Sequence, residues 1–299
     1  MKRAPHSEES PIRCFLFKTF TIRLGSELVT IDRPQIMGIV NMTPDSFYAP
    51  SRNGNEGELS RRIASMVEDG ADMLDIGGYS SRPGAAEVSA EEEWRRVGTA
   101  LKVARREAPQ IPVSVDTFRS EIARRAVMEF GPIIVNDISG GNLDGEMWQV
   151  VATLGVPYVV MHMRGTPATM QSLTDYTDVT AEVIADLSRR VRQLRLMGVA
   201  DVIVDPGFGF SKTLAQNYEL FHNLGLFGQT LEAPVLVGIS RKSMISRLLG
   251  IESADTLAGT ITLNTLALSQ GASILRVHDV REAAQSLKVW QAVSCSDSL

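Results

Sequence analysis

From position 36 onward, short runs rich in Val, Ile and Leu alternate with longer stretches in which apolar residues recur every third or fourth position. The runs are IMGIVN (36–41), MLDIG (73–77), VSVD (113–116), IIVND (133–137), YVVMH (158–162), VIVD (202–205), VLVGIS (235–240) and ILRVH (274–278). Their composition and length predict strands, and the regular alternation with helical stretches predicts a parallel sheet covered by helices. Helices are expected near 58–69, 89–106, 120–130, 145–154, 179–197, 214–223, 254–270 and 280–292. In the second of these, Ser89 and Glu92 have capping-box spacing, and Trp94, Val97, Leu101 and Ala104 repeat at helical intervals. Strands and helices match in number, as a closed α/β (β/α)8 TIM barrel requires. A doubly wound open sheet commonly has fewer strands and more often a glycine-rich dinucleotide turn. Ahead of the barrel, residues 14–31 alternate and turn at Gly25, which predicts an N-terminal β-hairpin closing the barrel's bottom. Residues 1–12 are expected to be a disordered tail and residues 13–295 a single domain.

Composition narrows the class without changing the fold. A chain of 299 residues can hide about three quarters of its unfolded surface, so a large core is available. With 44% apolar and 22% charged residues it reads as a soluble globular protein. The net charge of -5 offers no broad basic surface, so neither nucleic acid nor an anionic membrane is an expected partner. The polar opening lacks the apolar stretch of a secretory signal, and no later segment reaches the roughly 18 apolar residues of a membrane span, so the expected location is cytoplasmic. Cys14 and Cys295 lie near opposite ends and are expected to be reduced thiols.

In a barrel of this kind the chemistry sits where the strands end at their carboxyl side. Those positions are consistently polar: Asn41, the Gly77-Gly78 turn, Asp116, Asn136 and Asp137, His162, Asp205, Ser240 to Lys242, Arg276 and His278. Any one of them alone reads first as a turn former or helix cap. Taken together they predict one bowl in which carboxylates, a lysine, an arginine and a histidine surround a ligand. Two long loops rich in Gly, Pro and Ser, 41–54 and 77–89, start on the same face and are expected to order over substrate and exclude water.

The segments NMTPDSF, DIGGYSSRPGA, VSVDTFRS, VNDISGG, VVMHMRGTP, VDPGFGFSKT, VGISRKSMI and RVHDV resemble, in order, the motifs of dihydropteroate synthases. The resemblance runs from Asn41 to Val280, and it is the ordered set that is specific, since each fragment alone is weak. It implies condensation of (7,8-dihydropterin-6-yl)methyl diphosphate with 4-aminobenzoate, giving 7,8-dihydropteroate and diphosphate in folate biosynthesis. It also implies a Mg²⁺ cofactor, a homodimer, and competition by sulfonamides, which imitate the amine substrate in the family.

Residue roles follow by the same likeness. Asp205 would accept the adjacent N–H donors of the pterin edge, with Asn136 and Asp116 on neighbouring ring atoms and Lys242 donating from the opposite side. Met161 and Phe210 resemble the apolar walls of the ring pocket, although core packing accounts for them nearly as well. Arg276 would stack on the pterin while approaching the diphosphate, and His278, two residues along, would contact the leaving group. Ser243 and Asn41 would complete the anion site, with Asn41 as the protein ligand of a Mg²⁺ held mainly by diphosphate oxygens. Ser80, Ser81, Arg82 and Pro83 match the segment that holds 4-aminobenzoate. Asp116, Lys242, Arg276 and His278 would carry catalysis by stabilising charge that separates as diphosphate leaves, without a covalent nucleophile. A Schiff-base role for Lys242 ranks below ring binding.

Three positions depart from the family pattern. Ser81 stands where threonine is usual, Tyr79 where glutamate is frequent, and Ala49-Pro50 where Asp-Gly is common, with Tyr48 or Arg52 as candidate compensators. Two rival readings stay open on this basis: a pterin-binding paralogue without turnover, and a methyltetrahydrofolate-dependent methyltransferase on the same barrel. The second should lack the combined SRK and RVHD anion site.

Overall fold

The structure, a computed structural model, describes residues 17–42, 55–80 and 87–294. An antiparallel hairpin of β1 (Phe20–Leu24) and β2 (Glu27–Ile31) precedes eight parallel strands. These are β3 (Gln35–Asn41), β4 (Met73–Gly77), β5 (Val113–Asp116), β6 (Ile134–Asp137), β7 (Tyr158–Met161), β8 (Val202–Asp205), β9 (Leu236–Val237) and β10 (Ile274–Val277). Strands β3 to β8 neighbour one another in chain order, β10 lies beside β3, and β9 lies beside β10. A parallel bridge between Val204 and Val235 spans the remaining gap, so the sheet curls into a nearly closed barrel.

Ten helices cover it among the described residues: α1 (Asn55–Glu68), α2 (Ala90–Glu107), α3 (Ser120–Phe130), α4 (Met147–Leu154), α5 (Val179–Leu196), α6 (Leu214–His222), α7 (Gly225–Leu231), α8 (Ser243–Leu249), α9 (Leu257–Ser269) and α10 (Val280–Ser294). The Ser89 side chain caps α2 by accepting the Glu92 N–H, which is half of the predicted capping box, while the Glu92 carboxylate accepts from Arg95 and Arg96 instead. Two helices go beyond the eight that the pattern predicts. Both α7 and α8 have seven residues, too few turns for a 3.6-residue period to show. The strand expected over 235–240 pairs in β9 only at Leu236 and Val237. Beyond them the chain turns through Arg241, whose φ of 55° is left-handed. The predicted tail, Cys14 and Cys295 lie outside the described residues.

Alternation along the strands sorts side chains into two layers. Outward residues such as Val40, Ile76, Val115, Val135 and Val204 pack with the helices in one large core. Inward residues Met37, Met73, Ile134, Val159, Ile203, Leu236 and Ile274 form a second core with Ile22 and Ile31 of the hairpin. The hairpin therefore plugs the amino-terminal end of the barrel, the role its position ahead of the barrel predicts. Its turn passes through Gly25 at φ 66°, where a side chain would be strained and would stand 3.2 Å from Pro132 Cγ. With the floor sealed, the open end of the barrel is the carboxyl end.

Candidate active site at the carboxyl end of the barrel

Two residues above each apolar floor position lies the next inward side chain. Met73 is followed in this way by Asp75, Ile134 by Asn136, Val159 by Met161, Ile203 by Asp205, Leu236 by Gly238 and Ile274 by Arg276. Ser114 is followed by Asp116. The barrel interior thus changes, within a single strand repeat, from a layer that is apolar except for Ser114 to one dominated by polar side chains, with Ile39 and Met161 as its apolar members. Gly238 contributes no side chain to that layer. A Cβ there would stand 3.9 Å from both Asp205 Oδ2 and Arg276 Cδ. Gly77, at the end of β4, likewise contributes no side chain, with Asn41 Oδ1 at 3.6 Å and Asp116 Oδ2 at 3.7 Å from its Cβ position.

Arg276 organises the acids. Its Nε donates to Asp75 Oδ2 and its Nη2 to Asp116 Oδ2, both at 2.6 Å. Asn136 Nδ2 donates to the same Asp75 oxygen at 3.2 Å. Asp75 is wholly buried, and its Oδ1 has no hydrogen-bond partner among the described residues. Burial pushes the Asp116 carboxyl up to about 7, the Arg276 charge opposes this, and Asp75 adds to it. For Arg276 burial disfavours the charge, but Asp75 and Asp116 outweigh it and raise the guanidinium further.

Across the mouth, Asp205 is buried and its Oδ1 accepts the Gly207 N–H at 2.7 Å. Burial raises its carboxyl, while Lys242, that N–H and Arg276 act the other way. Burial lowers Lys242 to about 8, opposed by Asp205 and assisted by Arg276. The Lys242 ammonium donates to Phe208 O and sits 4.5 Å from the centre of the Phe210 ring. Phe210 and Met161 belong to a small apolar cluster with Ile138, Met163 and Met170 that walls this side. The sequence motifs ending β9 and β10 are tied together by a two-pronged pair, Arg241 Nε to Asp279 Oδ2 at 2.9 Å and Nη2 to Oδ1 at 2.6 Å. Above Arg276, His278 is kept neutral. Burial and the Arg276 charge lower it to about 4, and its Nδ1 lies 3.1 Å from Ser240 Oγ.

Asp116, Asn136, Met161, Asp205, Phe210, Lys242 and Arg276 therefore meet at one mouth, with Asn41 and His278 beside them. Ser243 is exposed at the first position of α8, next to Lys242. Ser80 is half-buried where the second loop leaves β4, and Ser81, Arg82 and Pro83 lie outside the described residues, as do Tyr48, Ala49, Pro50 and Arg52. The stems of that loop are nevertheless defined. Arg96 Nη1 donates to Gly78 O at 3.0 Å, and Arg119 Nη2 donates to Val88 O at 2.7 Å. Arg119 is itself paired with Glu93, a fully buried carboxylate that also accepts from Thr117 Oγ1 at 2.6 Å. Tyr79, in place of the frequent glutamate, stands edge-on to Phe118 at 5.2 Å.

A family model described as "Pterin binding enzyme" matches residues 37–278, the span that builds this mouth. Along 264 residues the chain is 38% identical to a dihydropteroate synthase of Escherichia coli, covering 88% of this chain and 92% of that protein. The chain belongs to the dihydropteroate synthases. A dihydropteroate synthase from Xanthomonas albilineans, solved with 4-aminobenzoic acid, superposes with a TM-score of 0.82 at 39% identity, covering 92% of this chain and 98% of that one. The chain also matches a mitochondrial bifunctional folate-synthesis protein of Arabidopsis thaliana at 39% identity, spanning 50% of that longer protein.

Two polar residues of this dihydropteroate synthase escape a reading confined to strand ends. Asp75 sits in the middle of MLDIG, a strand that ends in glycine, yet it holds both Arg276 and Asn136. Counting inward positions upward from Met73 finds it. Lys212 stands in GFGFSKT, a motif singled out for its neighbours, and no sequence signal separates a buried lysine at that place from a solvated one.

Proposed function

We propose that this chain condenses (7,8-dihydropterin-6-yl)methyl diphosphate with 4-aminobenzoate, and that the mouth described above holds the pterin ring. The observation that carries this assignment is the meeting of buried acids with Lys242 and Arg276 around an interior left open by Gly77 and Gly238. A flat heterocycle with adjacent N–H donors on one edge and a carbonyl on the other matches such an array. Asp205, Asn136 and Asp116 take the donor edge, Lys242 leaves Phe208 O to meet the carbonyl side, and Met161 and Phe210 pack on the faces.

In the reaction the amine nitrogen bonds to the exocyclic methylene carbon, the carbon–oxygen bond to diphosphate breaks, and the nitrogen releases a proton. Positive charge gathers on the pterin methylene as the bond to diphosphate stretches, and the acids beneath the ring stabilise it. Arg276 faces the departing oxygens with a charge that its two carboxylate partners hold in place. With Ser240 donating to Nδ1, His278 presents an Nε2–H to the same anion. Ser243 and Asn41 complete the diphosphate end. Ser80, Ser81, Arg82 and Pro83 hold the amine, which sulfonamides would displace.

The donor set suits Mg²⁺. Asn41 offers a hard amide oxygen beside Asp116, and among the described residues no cluster of three His, Cys, Asp or Glu side chains forms a cage of its own. An ion bound by Asn41 would take its other ligands from diphosphate and water, and when bound it would offset charge on the leaving group. A homodimer is supported by apolar side chains left exposed late in the barrel, including Leu248, Leu249, Leu266 and Val293 on α8, α9 and α10. Among the described residues no helix is long and apolar enough to cross a membrane.

Diphosphate release from the pterin diphosphate, followed with and without 4-aminobenzoate, tests the function. The expected result is release that depends on the amine and yields dihydropteroate. Tight pterin binding without turnover would instead identify a silent paralogue.

A further inference from the structure

The turn between β8 and α6 is clamped from both sides by lysines. From the mouth, Lys242 donates to Phe208 O. From beneath, Lys212 donates to Gly207 O at 2.9 Å and to Phe210 O at 3.0 Å, with its third proton toward His162 Nδ1 at 3.2 Å. Lys212 is 3% exposed, so it meets no bulk water, and its three protons match these three acceptors. The turn itself is strained and closely packed. Gly207 and Gly209 have φ of 74° and 82°, Ser211 has 51°, and a Cβ on Gly207 would come within 2.0 Å of His162 O. Asp205 begins this turn and Phe210 lies within it.

We propose that Lys212 is a positioning residue for the pterin site: its buried ammonium ties the turn that carries Asp205 and Phe210 to His162, and holds that turn while Lys242 engages the ring. The inference rests on the assignment of the mouth to pterin. If Lys242 leaves Phe208 O to reach the ring, the mouth-side clamp is lost at the moment of binding, and Lys212 remains the side chain that holds the Gly207 and Phe210 carbonyls, beside the Phe210 N–H that also donates to Gly207 O at 3.2 Å. A neutral His162 is needed for the third bond. Burial and the Lys212 charge lower that imidazole to about 2, and in the neutral tautomer protonated at Nε2 the Nδ1 atom accepts.

Lys212 also acts through charge. Burial lowers its own ammonium to about 7, opposed by Asp205 and assisted by Lys242 and Arg164. Burial raises the Asp205 carboxyl, and Lys242, the Gly207 N–H, Arg276 and Lys212 oppose that rise. Removing Lys212 therefore moves Asp205 toward its protonated form, which accepts fewer hydrogen bonds from a pterin.

Calorimetric titration of Lys212→Met with 6-hydroxymethyl-7,8-dihydropterin from pH 6 to 9, together with KM values for both substrates, tests this. We expect pterin affinity to fall about tenfold or more, the loss growing toward low pH, while KM for 4-aminobenzoate stays within about twofold. Equal weakening of both substrates, or pterin affinity unchanged at every pH, would overturn the inference. If Lys212→Met does not fold, Lys212→Gln, which keeps two donors and no charge, carries the same expectation and the same refutation. Asp205→Asn serves as the parallel control. If it too binds pterin normally, the assignment of the mouth fails and this inference with it. If it binds weakly while the Lys212 variants bind normally, only the role of Lys212 fails.

Discussion

Arg276 and Asp116 are 160 residues apart in the chain and meet with Nη2 to Oδ2 at 2.6 Å, while Arg276 Nε holds Asp75 at the same distance. One planar fork thus serves two carboxylates on two other strands, a geometry that a point-charge ammonium does not reproduce. Arg276→Lys leaves at least one buried carboxylate without its cation, a loss of roughly 3–5 kcal/mol in comparable buried pairs. We therefore expect kcat/KM for the pterin diphosphate to fall by about 100-fold or more, with the protein still folded. Steady-state kinetics alongside a thermal melt reads both.

The same cluster predicts a narrow pH range. Asp116 sits near 7 and Lys242 near 8 in the free protein. Pterin capture needs the carboxylate and the ammonium together, so kcat/KM should fall below about pH 7 as Asp116 protonates and above about pH 8 as Lys242 loses its proton. Stability runs the other way for Asp116. Its folded value lies above the ordinary 3.8, so its contribution is fully present below that value and is lost as pH rises through about 7. Asp116→Asn should flatten the acid limb of kcat/KM and reduce the loss of stability between pH 4 and 7, read by kinetics and by urea unfolding at stepped pH.

Glu93 holds the second loop indirectly, through Arg119 to Val88 O and through Thr117. Glu93→Ala leaves an arginine that is 20% exposed and a buried hydroxyl without their acceptor. The expected cost is about 2–4 kcal/mol in denaturant unfolding. Because the loop stems carry the proposed amine segment, KM for 4-aminobenzoate should rise several-fold and KM for the pterin diphosphate much less. An equal rise in both would separate Glu93 from the loop.

Much of this arrangement is legible in the sequence because strands buried on both faces appear as short, nearly continuous apolar runs. The runs MLDIG, VSVD and VIVD coincide with β4, β5 and β8, and the polar residues closing the last two, Asp116 and Asp205, point into the mouth. Asp75 is less visible because it stands in mid-strand, whereas the polar layer begins one inward step above the floor wherever a strand happens to stop. Lys212 and the seven-residue α7 and α8 were hidden for a different reason. A side chain's burial and a helix of two turns are decided by what packs against them, and local sequence holds no record of that. Tyr79 shows the converse. It departs from the family pattern, and its edge-on contact with Phe118 gives it a packing partner that sequence alone does not show.

The most direct test is a crystal structure of the protein with 6-hydroxymethyl-7,8-dihydropterin. We predict the ring over Gly238, its donor edge within hydrogen-bond distance of Asp205 and Asn136, and Lys242 turned from Phe208 O toward the ring carbonyl. A ring bound elsewhere, or bound in the mouth with Asp205 and Lys242 both facing away from it, would contradict the account.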